Sequence, residues 1–416
     1  MKMLSVFTLA MLAYLLPLSG ARAGDAPAPY VLAPASIFTA KDLPEVDPGK
    51  PIWDSTRGWG ITYYRNWVYA VSAAEYILQF ECDPATAKLT YKGAIPLGYR
   101  NPDSGRFVSI NTWIRRMGNQ AKLILFYGDH HKGLTWYSID KGSGVITLDG
   151  IQYPALCDHH NATQLVAPNS QHFCYGGRLL DKVDWYRLGD DGLPLADGSI
   201  AMKNASTGNG GMSSGCVMTD PDWNHLYCMV FQCPDNDPKN DKTPFIDTYD
   251  LDLKTYSGVY KSTLELPVPA TVQGRVSGTL EPFSPDGKFT YAIFRAGNTS
   301  YYYTLARDPQ SGALSIAGQK PTTDAGNLGL LTGAPWSRQG RFAYADDGLS
   351  GYFVNDGPLE RFTRDLTTGA LTLLPPLPEM GAAKLALDPA NSLLFTAGEK
   401  IASFKISKPE AALDVK

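Results

Sequence analysis

The sequence predicts an all-β protein: a seven-bladed β-propeller with four-stranded antiparallel blades around a central channel. Three observations predict it. An Asp-rich line recurs along the chain, a set of Pro/Gly/Asn turns recurs with it, and both keep a spacing of about 50 to 60 residues. Asp83-Pro84-Ala85-Thr86-Ala87-Lys88-Leu89-Thr90 returns as Asp140-Lys141-Gly142-Ser143-Gly144-Val145-Ile146-Thr147. Further copies are Asp308-Pro309-Gln310-Ser311-Gly312-Ala313-Leu314-Ser315 and Asp365-Leu366-Thr367-Thr368-Gly369-Ala370-Leu371-Thr372. Looser copies run through Asp190-Asp191-Gly192-Leu193 and Asp252-Leu253-Lys254-Thr255.

Each repeat begins with a strand, a tight turn and a second strand rich in β-branched and aromatic residues. The clearest is Phe283-Ser284-Pro285-Asp286-Gly287-Lys288-Phe289. There Pro presets the turn and Gly supplies a positive φ. Equivalent turns fall at Arg65-Asn66, Gly118-Asn119, Asn169-Ser170, Pro221-Asp222, Arg338-Gln339-Gly340 and Pro389-Ala390-Asn391, making seven. Third strands are expected to begin at Tyr76, Leu134, Val183, Phe245, Tyr301, Leu359 and Ile401. The Asp-x-x-[Ser/Thr]-Gly-x-Leu turn and a short outer strand complete each four-stranded unit. A ring must close, because an open sheet edge templates aggregation. Either Tyr30 to Ile37 or Ala411 to Val415 could supply the closing strand.

The chain divides into residues 1–23, 24–50 and 51–416. Lys2, the apolar run Met3 to Leu18 and the small-x-small site Ala21-Arg22-Ala23 read as a signal peptide. The run is too short to span a bilayer and Pro17 breaks it. The expected location is therefore the periplasm or the exterior, with no membrane anchor after cleavage. Lys2 and Arg22 leave with the leader, taking the formal charge from −4 to −6. That mixed, mildly acidic surface excludes a basic stripe for nucleic acid. Export permits disulfides among the six cysteines. Cys216 and Cys228 bracket the turn around Asp222, which admits a cross-hairpin disulfide or two buried thiols. Cysteine spacing matches no zinc site.

The Asp-Pro-x-[Ser/Thr]-Gly-x-Leu turn, with Ser284-Pro285-Asp286-Gly287-Lys288, resembles the lactonase-type seven-bladed propeller family. That family groups 6-phosphogluconolactonase-like proteins with carboxymuconate cyclase-like enzymes. The likeness covers nearly all of the chain beyond the leader. Family members often carry a Pro-His pair leading into an inner strand. The matching segment here is Asp158-His159-His160-Asn161, in which the Pro is replaced. The resemblance implies a small-molecule enzyme that opens, forms or isomerises a lactone.

Propeller topology places the outer-to-inner and second-to-third strand loops on one face, at the channel mouth. Two such loops carry the same tripeptide, Asp129-His130-His131 and Asp158-His159-His160, which together hold four of the six histidines. Histidine titrates near neutrality and serves as acid, base or ligand. A neighbouring carboxylate would set its tautomer. His130, His131, His159 and His160 are therefore the candidate acid–base residues, with Glu379 as a second such group. Arg57, Arg106 and Arg275, with Asn327, lie on loops entering inner strands and are expected to hold a carboxylate or phosphate. Trp53, Trp59, Trp113 and Trp336 lie near inner strands and read mainly as blade packing. No cofactor is expected. The histidines leave room for a divalent metal, though no helical i, i+4 pair is present.

Three other segments are blander than they look. Gly208 to Gly215, with Ser213 and Ser214, lacks the Gly-Lys-[Ser/Thr] ending of a phosphate loop. Asp235 to Asp241 lacks the terminal Glu of a calcium loop and reads as a long surface loop over the mouth. No Gly-x-Ser-x-Gly elbow occurs, so a hydrolase serine is not expected. The expectation is a lactonase-like enzyme using histidine acid–base chemistry on a small carboxylated or sugar-derived lactone. The alternative is a non-catalytic propeller that docks a protein partner.

Overall fold

The repeats fold as strands because their runs of Val, Ile, Tyr and Phe, which fit a pleated surface, lie between Gly-, Pro- and Asp-rich breaks. The computed structural model describes residues 30–53, 58–72, 74–97, 112–117, 122–127, 133–152, 163–169, 171–176, 182–189, 194–204, 216–231, 244–268, 276–296, 299–321, 342–354 and 357–408. Among these residues the helical content is one 3-10 turn, Ala40–Asp42. Five sheets contain four sequential antiparallel strands each. Blade 1 is Gly58–Tyr64, Trp67–Ser72, Tyr76–Cys82 and Leu89–Pro96. Blade 2 is Thr112–Met117, Lys122–Tyr127, Gly133–Ile139 and Ile146–Gln152. Blade 3 is Thr163–Val166, His172–Gly176, Lys182–Leu188 and Pro194–Ala201. Blade 4 is Cys216–Thr219, His225–Phe231, Pro244–Asp252 and Ser257–Glu265. Blade 5 is Val276–Leu280, Phe289–Ala296, Thr299–Arg307 and Leu314–Pro321.

Besides a two-stranded hairpin, one further sheet has seven strands, because one long strand serves two blades. Leu371–Leu387 pairs through its first part with Gly357–Arg364, as the outer strand of blade 6. Its last residues pair with Leu393–Gly398, as the inner strand of blade 7. Phe342–Tyr344 and Ser350–Val354 complete blade 6. Ile401–Ser407 is the third strand of blade 7, and the N-terminal strand Val31–Phe38 pairs antiparallel with it as the fourth. The N-terminal segment is thus the closing strand, while Ala411 to Val415 lie outside the described residues. Leu32 and Tyr30 bury against Phe404 and Ile406, which adds apolar burial to the edge pairing.

The apolar core is distributed between the blades. Separate buried clusters fill the seams between blades 1 and 2, 3 and 4, 4 and 5, 5 and 6, 6 and 7, and 7 and 1. Trp53 is fully buried in the last of these, as blade packing, with no partner for its indole N–H. Trp59 and Trp113 lie on inner strands, with side chains outside the described residues, where Trp336 also falls.

The repeated Asp closes its turn with its own carboxylate. Asp308 accepts the backbone N–H of Gln310 (3.1 Å) and Ser311 (2.7 Å) and the Ser311 hydroxyl (2.8 Å). Asp140 and Asp365 do the same, and Asp83 and Asp252 use a Thr hydroxyl. The Gly of the line takes positive φ, +67° at Gly144, +70° at Gly312 and +72° at Gly369. The turn then docks beneath the preceding blade. Tyr69, Tyr227 and Tyr291 donate their hydroxyls to the carbonyls of Gly144, Gly312 and Gly369 at 2.7, 2.9 and 2.7 Å. Asp190 to Leu193 lie outside the described residues.

A second repeated device is not evident from the turns. In blades 1 to 5 one outer-strand residue is skipped in the pairing: Lys92, Asp149, Asp197, Lys261 and Ala317. A bulge re-aims the extra side chain. Four of the five are charged, and each finds an opposite charge or a histidine on its own blade. The pairs are Lys92–Glu81 (2.8 Å), Asp149–Lys122 (2.6 Å), Asp197–His172 (2.9 Å) and Lys261–Asp250 (3.0 Å). A Gly follows the bulged residue in four blades, at Gly93, Gly150, Gly198 and Gly318, a signal that was present in the sequence.

The expected facing of Cys216 and Cys228 is corrected by the register. Val217 stands opposite Cys228, and Cys216 stands opposite Met229. The two cysteines are therefore not directly opposite each other in this hairpin. Cys82, Cys174 and Cys228 are all buried. Burial pushes the Cys82 thiol up to about 12, which makes it a small core residue and a poor nucleophile.

Candidate functional site

The strand registers define the two faces of the molecule. Tyr127 stands opposite both Gly133 and Thr112, and Leu134 stands opposite Gln152. The segments 98–111, 128–132 and 153–162 are therefore rooted at one end of the blade 2 sheet. These segments carry Arg106, His130 with His131, and His159 with His160. The five side chains themselves lie outside the described residues, as do Arg57, Arg275 and Asn327. Glu379 lies on the strand Leu371–Leu387, and its side chain is outside the description. Ser213, Ser214 and the 235–241 segment also fall outside it.

The roots of these mouth segments are held by named contacts. Segment 205–215 starts from Asn204, whose backbone N–H and side-chain amide both donate to the buried carboxylate of Asp247, at 3.0 and 2.5 Å. The Thr263 hydroxyl adds a donor at 2.6 Å and the Tyr249 hydroxyl another at 3.4 Å. Asp247 is fully buried, so these donors replace the water it has lost. The Tyr249 hydroxyl also accepts the Lys203 N–H at 2.6 Å. Segment 269–275, which carries Arg275, starts beside Pro267, whose carbonyl accepts the Tyr303 hydroxyl at 2.5 Å. Burial pushes Tyr303 up to about 12, so it stays a donor at any ordinary pH. Segment 98–111 starts after Leu97, whose N–H donates to the Glu75 carbonyl at 2.8 Å.

A pocket of about 410 Å³ opens on this same side of blade 1. It lies between the hairpin Glu45–Asp47 with Lys50–Pro51 and the turn at Glu75, walled by Val46, Pro51, Tyr76 and Pro96. That volume and mainly apolar wall suit a small organic molecule. Sequence reasoning also missed Lys384, a lysine only 5% exposed on the innermost strand of blade 7. Its signal was a charge inside the otherwise apolar run Ala382 to Leu387. Among the described residues no group of three His, Cys, Asp or Glu side chains is placed to hold a metal.

The two remaining histidines belong to the opposite face and to the seams. His225 is packed against Gly312 of blade 5, and its Nδ1–H donates to Asp220 at 2.8 Å. Asp220 is fully buried and also pairs with Arg307 of blade 5, whose Nε donates to Tyr227 at 3.2 Å. Arg364 repeats the arrangement one blade on, reaching Asp286 at 3.1 Å and the Gly348 carbonyl at 2.8 Å. In sequence this latch reads as Arg directly before the repeat Asp, at Arg307-Asp308 and Arg364-Asp365.

No family model and no curated protein matches this chain. Solved structures do. A periplasmic gluconolactonase from Pseudomonas aeruginosa is 14% identical with a TM-score of 0.56, over 84% of this chain and 88% of that one. A putative 6-phosphogluconolactonase from Bacteroides uniformis is also 14% identical, with a TM-score of 0.51 over 76% and 83%. Hydrazine synthase from Kuenenia stuttgartiensis is 11% identical, with a TM-score of 0.54 over 86% and 97%. The chain is a β-propeller whose structural neighbours include lactonase-like propellers. At these identities the likeness establishes the fold, which hosts unrelated chemistries.

Proposed function

We propose that the protein is an exported, lactonase-like enzyme that acts on a small carboxylated or sugar-derived lactone. The observation that carries this reading is the common anchorage of both Asp-His-His segments at one end of blade 2. The resemblance of the fold to a periplasmic gluconolactonase supports it, as does the leader-like N-terminus. In this reading a neutral imidazole among His130, His131, His159 and His160 takes a proton from water. The hydroxide adds to the lactone carbonyl, and arginines such as Arg106 and Arg275 steady the oxyanion. The ring C–O bond breaks, the alkoxide recovers the proton, and a hydroxy acid leaves. Glu379 is a second acid–base group.

The test is hydrolysis of glucono-1,5-lactone, its 6-phosphate and a carboxylated five-membered lactone by protein lacking residues 1–23. One of them is expected to turn over. His159→Ala or His160→Ala is expected to lower kcat by about 10²–10⁴ with an unchanged melting temperature. Undiminished turnover in all four single His→Ala variants would sink the reading. A co-purifying partner without turnover of any lactone would favour a docking role.

A further inference from the structure

We propose that His172 is a proton-sensitive latch between blades 3 and 4, whose neutral ring clasps the two blades and whose protonation releases them. The position is set by the repeat. The residue that opens the second strand of a blade packs on the Asp-rich turn of the next blade. Trp67 packs on Gly144, His225 on Gly312 and Phe289 on Gly369. His172 holds the same place at the seam of blades 3 and 4, stacked on Tyr256 with ring centroids 3.9 Å apart.

The hydrogen bonds around His172 select one protonation state. The Asn169 side-chain oxygen accepts two backbone N–H groups, from Gln171 at 3.0 Å and His172 at 3.2 Å. That fixes the amide, so its NH₂ group faces the other way. Its two hydrogens go to the Tyr256 hydroxyl and to His172 Nδ1, each at 2.8 Å. Nδ1 must therefore accept, which leaves the proton on Nε2, donating to Asp197 at 2.9 Å. A proton added at Nδ1 would set N–H against N–H. Asn169 would lose one partner, and the tie that it makes across the seam to Tyr256 would be strained.

The other groups facing the ring agree with this assignment. Asp197, on the outer strand, is the bulged residue of blade 3, and Arg187 on the third strand lies 3.9 Å from its other oxygen. Tyr256 is the group that blade 4 presents, and burial raises its pKa, so it remains a neutral hydroxyl. Burial pulls the pKa of His172 down, and Asp197 opposes that pull only in part. The ring is 14% exposed, enough for proton exchange with solvent. The three other seams with this contact behave differently. Trp67 and Phe289 do not titrate, and both nitrogens of His225 face carboxylates, Asp220 at 2.8 Å and Asp250 at 3.5 Å. A second proton on His225 would meet an acceptor, whereas one on His172 meets a donor.

Two measurements on the full-length chain test the latch. Long-range ¹H–¹⁵N spectra at pH 7.5 should show His172 as the Nε2–H tautomer, titrating below 6.5. Thermal melts between pH 7.5 and 5 should show the parent losing of order 2 °C more than His172→Phe, which keeps the stack without the proton. Asn169→Asp supplies Nδ1 with an acceptor and should reverse the sign, with stability relative to the parent rising as pH falls. An Nδ1–H tautomer at neutral pH would overturn the proposal. So would parallel pH profiles for the parent and both variants.

Discussion

Gly312 answers two demands at once. Its φ of +70° is a conformation in which a Cβ costs about 1–2 kcal/mol. A Cβ there would also stand 2.3 Å from Cδ2 of His225. Gly144 meets Trp67 at 1.9 Å and Gly369 meets Phe289 at 2.5 Å in the same way. Gly312→Ala is therefore expected to destabilise by about 2–5 kcal/mol, the sum of the backbone cost and an overpacking cost. Gly318→Ala is the control, since its nearest neighbour would be 3.8 Å away, an ordinary contact. Urea unfolding of the two variants checks the contrast, and equal losses would refute the packing argument.

The Asp-rich turn is the element that joins local geometry to the seam. Backbone and hydroxyl donors hold the carboxyls of Asp140, Asp308 and Asp365 below the usual range. A depressed carboxylate contributes stability that is present above its unfolded pKa and is lost as pH falls through the folded value. The melting temperature should therefore fall as pH drops below about 4. Asp308→Asn keeps an oxygen acceptor, so it should retain most of the parent's stability at pH 7 and flatten the acid limb. Asp308→Ala should lower stability at every pH. Melting curves from pH 3 to 7 separate these outcomes. The turns were legible because their spacing and residue types are local. The bulges at Asp149 and Asp197 were not, because their partners Lys122 and His172 lie 27 and 25 positions back and meet them only after the strands pair.

The whole molecule depends on closing blade 7 with the N-terminal strand. Val31–Phe38 covers the edge of Ile401–Ser407, and Ser36 Oγ accepts the Leu89 N–H of blade 1 at 2.8 Å. Ser403 of blade 7 likewise donates to the Ala87 carbonyl of blade 1 at 2.6 Å. A chain lacking residues 30–38 should expose an unpaired strand edge, lose cooperative unfolding and aggregate. A chain ending at residue 410 should melt as the parent does. Scattering and calorimetry on both chains check this contrast, and equal behaviour of the two would refute closure by the N-terminal strand.

The repeated Asp, the Pro/Gly turns and the β-branched runs are local chemistry, so the sequence by itself determined the propeller, its repeat and the order of its strands. It also determined that Asp-His-His occurs twice, at neighbouring strand breaks. Which terminus closes the ring was decided only in the tertiary structure, because both ends carried a usable strand and burial of Leu32 and Tyr30 distinguishes one. The register of Cys216 and Cys228 was decided there too, since strand pairing sets Cys216 opposite Met229 and Cys228 opposite Val217. The surroundings of His172 were decided the same way, because Asn169 bonds its ring and Tyr256 stacks on it from the next blade.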